Sequence, residues 1–154
     1  MDLTFNTGEG VFNHRVGAVI IRNGRLLAMR DERSPFFYLP GGRVRLHESA
    51  EAAVKREVLE ELGVSCRIER PLWFCQGFFT EDVSQKRYHE LCLYFLIEPG
   101  PLPDERFTRQ EGAHLNRFEW LPFERLKDEY LYPVFIKEAI FHLPSSLTMV
   151  TENE

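Results

Sequence analysis

Three carboxylates stand close together in the segment REVLEELGV, which runs from Arg56 to Val64: they are Glu57, Glu60 and Glu61. Ionised carboxylates this close on one helix repel one another. A hard divalent cation removes that repulsion, because Mg²⁺ takes oxygen ligands and needs only a few carboxylates in addition to substrate phosphates. No histidine adjoins the three, which disfavours a zinc site. The segment therefore indicates a Mg²⁺ site suited to chemistry on a phosphorylated substrate.

These carboxylates lie on a predicted α-helix from about Ser49 to Leu62. Ser49 is a favourable N-cap residue, because its hydroxyl can accept a hydrogen bond from a free N–H of the first turn. Gly63 follows the last helical residue and suits the left-handed conformation that commonly ends a helix. The capping residues thus predict both ends of the element that must position the acidic group.

The predicted helix turns Glu57 and Glu61 toward the protein interior. At about 100° per residue the two lie about 40° apart, and they share the stripe on which Val54 faces the core. Burying an unpaired carboxylate costs roughly several kcal/mol, and a single arginine, Arg56, can compensate only one of them. Glu60 lies about 60° to the other side, next to Arg56. This geometry opposes the usual explanation of an acidic helix, which is a solvated charged face.

Two glycines, Gly41 and Gly42, precede the helix and follow Pro40. Glycine can take positive φ and lets the backbone approach a ligand or a metal closely. The sequence predicts this role for both residues. Alone, the tripeptide is a weak signal, because most such pairs are simply turns.

The spacing of these residues resembles the Nudix hydrolase signature at every specified position. That signature is G, five residues, E, seven residues, then R-E-U-x-E-E-x-G-U, where U is a bulky aliphatic residue. Here Gly42 and Glu48 stand at the first two positions, REVLEELGV follows, and Val58 and Val64 fill the U positions. A chance match in a chain of this length has a probability on the order of one in ten million at ordinary residue frequencies.

The resemblance implies a fold and an activity. The fold is α/β: an α/β/α sandwich with a mixed β-sheet. The activity is Mg²⁺- or Mn²⁺-dependent hydrolysis of a nucleoside diphosphate linked to another group, with water attacking phosphorus. The partner it implies is therefore a small-molecule nucleotide, and related proteins are often homodimers. A non-catalytic nucleotide-binding or regulatory module on the same fold is the alternative; such modules typically lose the glutamates that this chain retains.

Carried over by position, the resemblance also implies roles for individual residues. Glu57 and Glu61 are the expected main metal ligands, Glu60 is an additional one, and the carbonyl of Gly41 often joins them. Arg56, counted with the catalytic residues, and Glu48 are expected to tie the loop to the helix and so orient the carboxylates, and Gly42 is expected to support the site structurally.

Members of the family often draw one more glutamate from a loop after the sheet, as a metal ligand or general base. Glu111, a short distance before Trp120, resembles that placement, and Glu105 and Glu119 are the alternatives. Whether Glu57 or Glu111 is the general base stays open.

For substrate binding, Arg22 and Arg30 flank the second strand of a predicted hairpin and could contact phosphates. A nucleoside triphosphate and a nucleotide sugar both remain candidate substrates.

The elements around the helix are read from turns and apolar runs. Asn23-Gly24 predicts a hairpin turn between strands at about 14–21 and 25–30. Two further strands are predicted within 65–82 and 86–98, and another at 117–122. Residues 98–116 are expected to form a long polar loop, and two short helices follow 122. We expect one domain, 1–144, and a tail from 145 to 154 with little to hold it.

Composition limits the function classes. The chain has 154 residues, is 44% hydrophobic and carries a net charge of -5, which argues against a nucleic-acid partner that binds by neutralising phosphates. No apolar run approaches the roughly 20 residues of a membrane span, and the N-terminus lacks a secretory pattern. The three cysteines form no C-x-x-C pair, which favours buried thiols. A cytoplasmic location is expected.

Overall fold

The computed structural model describes residues 1–153. Within them the chain forms ten β-strands, two α-helices and one 3₁₀ helix. The strands are β1 (Thr4–Thr7), β2 (Gly10–Val19), β3 (Ile21–Arg22), β4 (Arg25–Arg30), β5 (Gly41–Arg43), β6 (Cys66–Thr80), β7 (Arg87–Pro99), β8 (Phe107–Glu111), β9 (His114–Pro122) and β10 (Thr148–Asn153). The helices are α1 (Ala50–Leu62), the 3₁₀ helix (Phe123–Asp128) and α2 (Ile136–Ala139).

Two sheets carry these strands. The larger has the order β1-β2-β7-β6-β10, with β5 also paired to β2. Its β2–β7 and β6–β10 pairs are parallel, and its other pairs are antiparallel. The smaller sheet has the order β3-β4-β9-β8 and is antiparallel throughout. The predicted α/β fold with a mixed sheet is confirmed.

Helices cover both faces of the larger sheet. Side chains alternate along a strand, so Val16 and Val19 of β2 point to opposite faces. Val16 belongs to the apolar cluster that contains Val54 and Val58 of α1. Val19 belongs to a second cluster that contains Ile136 of α2 and residues of the 3₁₀ helix. The core therefore has two layers, and α1 lies on one of them.

Helix α1 has the ends that its capping residues predict. The N–H of Ala52 donates to the Ser49 hydroxyl at 3.1 Å, and Gly63 is left-handed with φ of 72°. The N–H of Gly63 donates to the carbonyl of Leu59. The exposed side of the helix includes Leu59, as expected from the helical angles.

The Asn23-Gly24 turn is present, but the strand predicted before it is not continuous. Both turn residues have positive φ, 52° and 70°, which suits a two-residue hairpin turn. Only β3, Ile21–Arg22, pairs with β4 there, while β2 ends at Val19 and belongs to the other sheet. The chain passes from one sheet to the other at Ile20, so one apolar segment serves both.

The long loop predicted over 98–116 is wrong, because Phe107–Glu111 is strand β8. It pairs with β9, which begins at His114 and is longer than predicted. Phe107, Arg109 and Glu111 are partly buried, and the two residues between them are exposed. A strand with one solvated face reads as polar sequence, which is why composition predicts a loop.

The expectation that the tail from Ser145 has little to hold it is wrong for Thr148–Asn153. These residues form β10, which pairs in parallel with β6 from Trp73 to Phe78. The N–H of Phe135 also donates to Glu152 Oε1 at 2.7 Å. Backbone hydrogen bonds hold this segment in place. The pattern of apolar residues in the sequence does not predict such bonds.

Two other expectations concern membranes and thiols. Among residues 1–153, no helix combines the length and apolarity that a membrane span requires. All three cysteines are free thiols, and Cys75 and Cys92 are buried.

Candidate functional site

Glu61 is a carboxylate buried at the junction of α1 and β5. Its relative exposure is 6%, and its Oε1 accepts a hydrogen bond from the N–H of Gly41 at 2.8 Å. Burial raises the pKa of Glu61 well above the ordinary value, and the charges of Glu57 and Glu111 raise it further. In the isolated protein the ionised form of this side chain is therefore disfavoured.

Glu57 lies beside it, with 14% of its side chain exposed. Burial raises the pKa of Glu57, and the charges of Glu60 and Glu111 add to that, although Arg56 Nη1 donates to its Oε1 at 2.7 Å. The helix thus places two carboxylates in a low-dielectric position with too little positive charge to balance them. This arrangement fits a divalent cation.

The two glycines of β5 serve different purposes. Gly41 has φ of 157°, and a Cβ there would lie 2.1 Å from the carbonyl oxygen of Val16. Gly42 does not have positive φ, so that prediction is wrong for it. A Cβ on Gly42 would instead lie 2.4 Å from Cδ of Glu57. Gly42 therefore leaves the space that the Glu57 carboxylate occupies.

Glu48 and Arg56 connect the loop after β5 to α1. Arg56 Nε donates to Glu48 Oε2 at 2.8 Å, and Arg56 Nη2 donates to Glu48 Oε1 at 2.9 Å. This bidentate pair lowers the pKa of Glu48 to about 2. Arg56 Nη2 also donates to the carbonyl of Arg43 at 3.0 Å. One guanidinium thereby holds strand, loop, helix and Glu57 together.

Glu60 is the most exposed of the three helix carboxylates and shares Arg56 Nη1 with Glu57. It is 41% exposed and lies 3.5 Å from Arg56 and 4.0 Å from Arg45. Within residues 1–153, no three His, Cys, Asp or Glu side chains are grouped closely enough to hold a metal ion. The ligand roles of Glu57, Glu60, Glu61 and the Gly41 carbonyl thus stay predictions.

Strand β8 carries Glu111 toward the helix carboxylates. The charge of Glu111 contributes to the raised pKa of both Glu57 and Glu61, which places the three in one electrostatic group. Asn116 Nδ2 donates to Glu111 Oε1 at 2.9 Å and orients it. On the same strand, the Arg109 guanidinium donates to the carbonyl of Glu60.

Glu105 and Glu119 lie elsewhere. They line a separate depression with Arg25, Arg106 and Trp120. Of the three loop or strand glutamates weighed from sequence, Glu111 is the one that the structure brings to the acidic group.

The two arginines predicted to bind substrate contact other partners. Arg22 Nη1 donates to the carbonyl of Leu102 at 3.0 Å and pairs with Asp104 at 2.8 Å. The Arg30 guanidinium lies 4.8 Å from the centre of the Phe37 ring. Neither contacts Glu57 or Glu61, and a substrate role for them stays a prediction.

Sequence reasoning missed two polar residues near the acidic group, Arg15 and Tyr38. Burial acts against the charge of Arg15, yet the carboxylates of Glu90 and Glu61 hold its pKa above the ordinary value. Burial also raises the pKa of Tyr38 to about 12. The sequence feature that could have identified Arg15 is its position as a single cation directly before the buried residues that complete β2.

Comparison with known proteins decides the family. The NUDIX domain model matches residues 12–140, which include every site residue considered above. The chain belongs to the Nudix family. The signature from Gly42 to Val64 therefore lies inside a matched Nudix domain and is not an isolated motif.

Two curated relatives match parts of this Nudix domain. An ADP-ribose pyrophosphatase from Methanocaldococcus jannaschii is 29% identical over 86 residues, 54% of this chain and 48% of that protein. A MutT-like protein from Streptomyces ambofaciens is 42% identical over 53 residues, 34% of each chain. The chain thus spans about half or less of the length of these relatives.

A solved structure shows the fold over most of the chain. The crystal structure of the mutator MutT protein from Bacillus halodurans has a TM-score of 0.66 and 16% identity. The match covers 92% of this chain and 89% of that one. At this identity the likeness concerns the Nudix fold alone.

Proposed function

We propose that this protein hydrolyses a pyrophosphate bond in a nucleoside diphosphate linked to another group. The observation that carries the proposal is the buried Glu61 carboxylate, which lies in the electrostatic range of Glu57 and Glu111 and forms no ion pair with any residue from 1 to 153. A site of this kind is costly to maintain unless a cation and a phosphorylated substrate use it. The complete signature and the membership of the Nudix family support the same reading.

Glu57 and Glu61 would hold the metal, with Glu60 and the carbonyl of Gly41 as further ligands. Bound Mg²⁺ or Mn²⁺ supplies charge neutralisation for the pyrophosphate and lowers the pKa of a coordinated water. Glu60 is exposed enough to turn toward the site when its pairing with Arg56 and Arg45 is released.

The remaining residues would position the Glu57 carboxylate and deprotonate the attacking water. Arg56, held by Glu48, keeps the Glu57 carboxylate against Gly42. Glu57 or Glu111 would accept the proton of the attacking water. Burial raises the pKa of Glu57, which makes it a better base than an exposed glutamate. Water attacks one phosphorus of the pyrophosphate and the bridging P–O bond breaks, which gives a nucleoside monophosphate and the phosphorylated remainder, or a nucleoside monophosphate and pyrophosphate when the substrate is a triphosphate. Such reactions depend mainly on positioning and charge stabilisation.

The relatives' names and the residues available suggest which substrates to test. ADP-ribose is a substrate to test because a relative is an ADP-ribose pyrophosphatase. Nucleoside triphosphates and nucleotide sugars complete the panel. Arg30 is a better candidate for a phosphate contact than Arg22, because an aromatic contact leaves guanidinium donors available whereas Arg22 is engaged by Asp104.

The test is release of monophosphate or pyrophosphate from this panel with Mg²⁺ and with Mn²⁺. Turnover by the wild type, its loss on chelation, and a decrease of at least about 100-fold in Glu61→Gln would support the proposal. Binding without turnover of any substrate would favour the alternative, a nucleotide-binding module. Equal turnover by wild type and Glu61→Gln would show that the site is assigned to the wrong residues.

A further inference from the structure

The guanidinium of Arg15 has no hydrogen bond or ion pair with any residue from 1 to 153. Arg15 lies on β2, opposite Cys92 of β7 and opposite Arg43 of β5. Its side chain is only partly exposed. An arginine carries five N–H donors and normally meets acceptors when it is removed from solvent. Its lack of a partner therefore requires an explanation.

Arg15 lies on the face of β2 that is opposite to α1. Val16, the next residue, packs in the cluster of α1, and alternation along the strand sends Arg15 the other way. Gly17 is two residues further along the same face, and the Tyr94 ring lies against it, since a Cβ on Gly17 would be 2.6 Å from Cδ1 of Tyr94. Arg15 thus lies on the same face as the Tyr94 ring, two residues from Gly17, which pairs with Gly41.

The neighbouring carboxylates each accept a hydrogen bond from another residue. Glu90 Oε2 accepts from the Asn13 amide at 3.2 Å, and Glu61 Oε1 accepts from the N–H of Gly41. Both are close enough to Arg15 to act on it electrostatically without pairing with it. The Tyr38 hydroxyl is in the electrostatic range of both Arg15 and Glu61. The strand pairing gives the geometric link to the acidic group: Gly17, two residues from Arg15, pairs with Gly41, whose N–H donates to Glu61.

We propose that Arg15 is a substrate-binding residue of this site and donates hydrogen bonds to an acceptor group of the bound nucleotide. The proposal rests on the proposed function. It names a contact beyond the signature, on the side of β2 away from α1. The acceptor is a phosphate oxygen or an acceptor atom of the base, because a guanidinium binds either of them in a bidentate manner.

Equilibrium binding tests this contact without requiring turnover. The probes are nonhydrolysable nucleotides with a methylene bridge at the scissile position, differing in base, and methylenediphosphonate as a base-free probe, all with Mg²⁺. Titration calorimetry compares wild type with Arg15→Met and Arg15→Lys. Arg87→Met is the matched control, since Arg87 is an exposed arginine at the start of the neighbouring strand β7.

We expect Arg15→Met to weaken nucleotide binding by about 10- to 100-fold and Arg15→Lys to restore part of it, as for loss of a charge-assisted hydrogen bond. Arg87→Met should bind like the wild type. An equal loss for every base, accompanied by a loss for methylenediphosphonate, would identify a phosphate contact. A loss that differs among bases and spares methylenediphosphonate would identify a base contact.

Two results would overturn the proposal: equal affinities for wild type and Arg15→Met, or no binding of any nucleotide probe by the wild type. Thermal melting of each variant separates a lost contact from a lost fold. Hydrolysis assays run in parallel report on the proposed function separately. If the wild type turns substrate over and Arg15→Met binds nucleotide as tightly as the wild type, the role of Arg15 is wrong and the hydrolase proposal stands. If the wild type binds nucleotide tightly, Arg15→Met binds it more weakly and no substrate is turned over, the hydrolase proposal is wrong and the role of Arg15 stands.

Discussion

The charge state of single carboxylates is the central feature of the site at the scale of residues. Glu61 and Glu57 differ from surface glutamates because burial raises the pKa of each. Glu48 shows the opposite effect, because the guanidinium of Arg56 lowers its pKa to about 2. Burial thus disfavours the ionised form of Glu57 and Glu61, whereas pairing with Arg56 favours the ionised form of Glu48.

The strain of Glu61 predicts how its substitution acts on stability. The folded-state pKa of Glu61 lies above the unfolded value of about 4.3. The stability that this group contributes to the folded wild type is therefore fully present below about pH 4.3 and is lost as the pH rises through the folded pKa. Glutamine does not titrate and can still accept the Gly41 hydrogen bond. With a chelator present, we expect the advantage of Glu61→Gln over the wild type in free energy of unfolding to be about 1–3 kcal/mol larger at pH 8 than at pH 4.

Urea denaturation at the two pH values measures this difference. The companion measurement adds Mg²⁺ or Mn²⁺ at pH 8, which should raise the denaturation midpoint of the wild type and leave that of Glu61→Gln nearly unchanged. A stability difference that is the same at pH 4 and pH 8 would contradict the assignment of strain to this carboxylate.

Gly42 predicts a loss of activity with little loss of stability. A methyl group at this position would displace the Glu57 carboxylate, which is the flexible end of its side chain. We expect Gly42→Ala to lower kcat/KM by roughly 100-fold, because small displacements of catalytic groups cost that much. The free energy of unfolding should change by less than about 1 kcal/mol.

Gly8→Ala is the control for this substitution, since a Cβ there meets nothing within 4 Å. Steady-state kinetics and thermal melting of both variants give the comparison. Activity of Gly42→Ala equal to that of Gly8→Ala would show that the position of Glu57 is unimportant for turnover.

At the scale of elements, the contact between β8 and the end of α1 brings Glu111 to the helix carboxylates. Arg109 makes that contact: its guanidinium donates to the Glu60 carbonyl, and a Cβ on Gly63 would meet its Nε at 2.6 Å. A cation at the C-terminus of a helix also interacts favourably with the helix dipole. Arg109 thereby connects the strand to the last turn of the helix, in addition to the packing of Phe107 against the apolar cluster of α1.

We expect Arg109→Leu to lower kcat by about 10-fold or more, because Glu111 loses its fixed position relative to Glu57 and Glu61. Thr108→Ala, at an exposed position of the same strand, should retain activity. Combining Arg109→Leu with Glu111→Gln should add little further loss if Arg109 acts by positioning Glu111. Fully additive losses in this double-mutant cycle would show that Arg109 acts independently of Glu111.

At the scale of the whole molecule, the larger sheet extends from β1 at one edge to β10 at the other. Strand β10 comes from the C-terminal residues and pairs with β6 over six positions. It also reaches α2 through the hydrogen bond from the Phe135 N–H to Glu152. The end of the chain therefore stabilises the layer opposite α1, far in sequence from the signature.

Truncation after Leu147 should lower the free energy of unfolding by about 2–4 kcal/mol, because a ladder of backbone hydrogen bonds worth roughly 0.5–1.5 kcal/mol each is lost. Chemical denaturation of the full and shortened chains measures the effect. Glu152→Gln removes only the charge of the Phe135 contact and should cost less than about 1 kcal/mol. Equal stability of the shortened and full chains would mean that β10 adds nothing to the fold.

The sequence by itself determined the family signature, the ends of α1 and the acidic stripe, because these depend on residues a few positions apart. Helical periodicity, capping and the spacing of Gly42, Glu48 and the helix glutamates are all local. The mixed α/β class was also predicted, since the resemblance to the family implies it and strand and helix patterns are mixed along the chain without strict βαβ alternation.

Only the tertiary structure decided which distant residues join the site. The polar strand that carries Glu111, the pairing of β10 with β6, the space that Gly42 leaves for Glu57 and the unpaired Arg15 all depend on contacts between segments far apart in sequence. Neither backbone pairing between strands nor the space between side chains can be predicted from composition or from the periodicity of the sequence. For that reason local spacing was enough to predict the family and to propose its chemistry, whereas the contacts around the helix carboxylates could not be predicted.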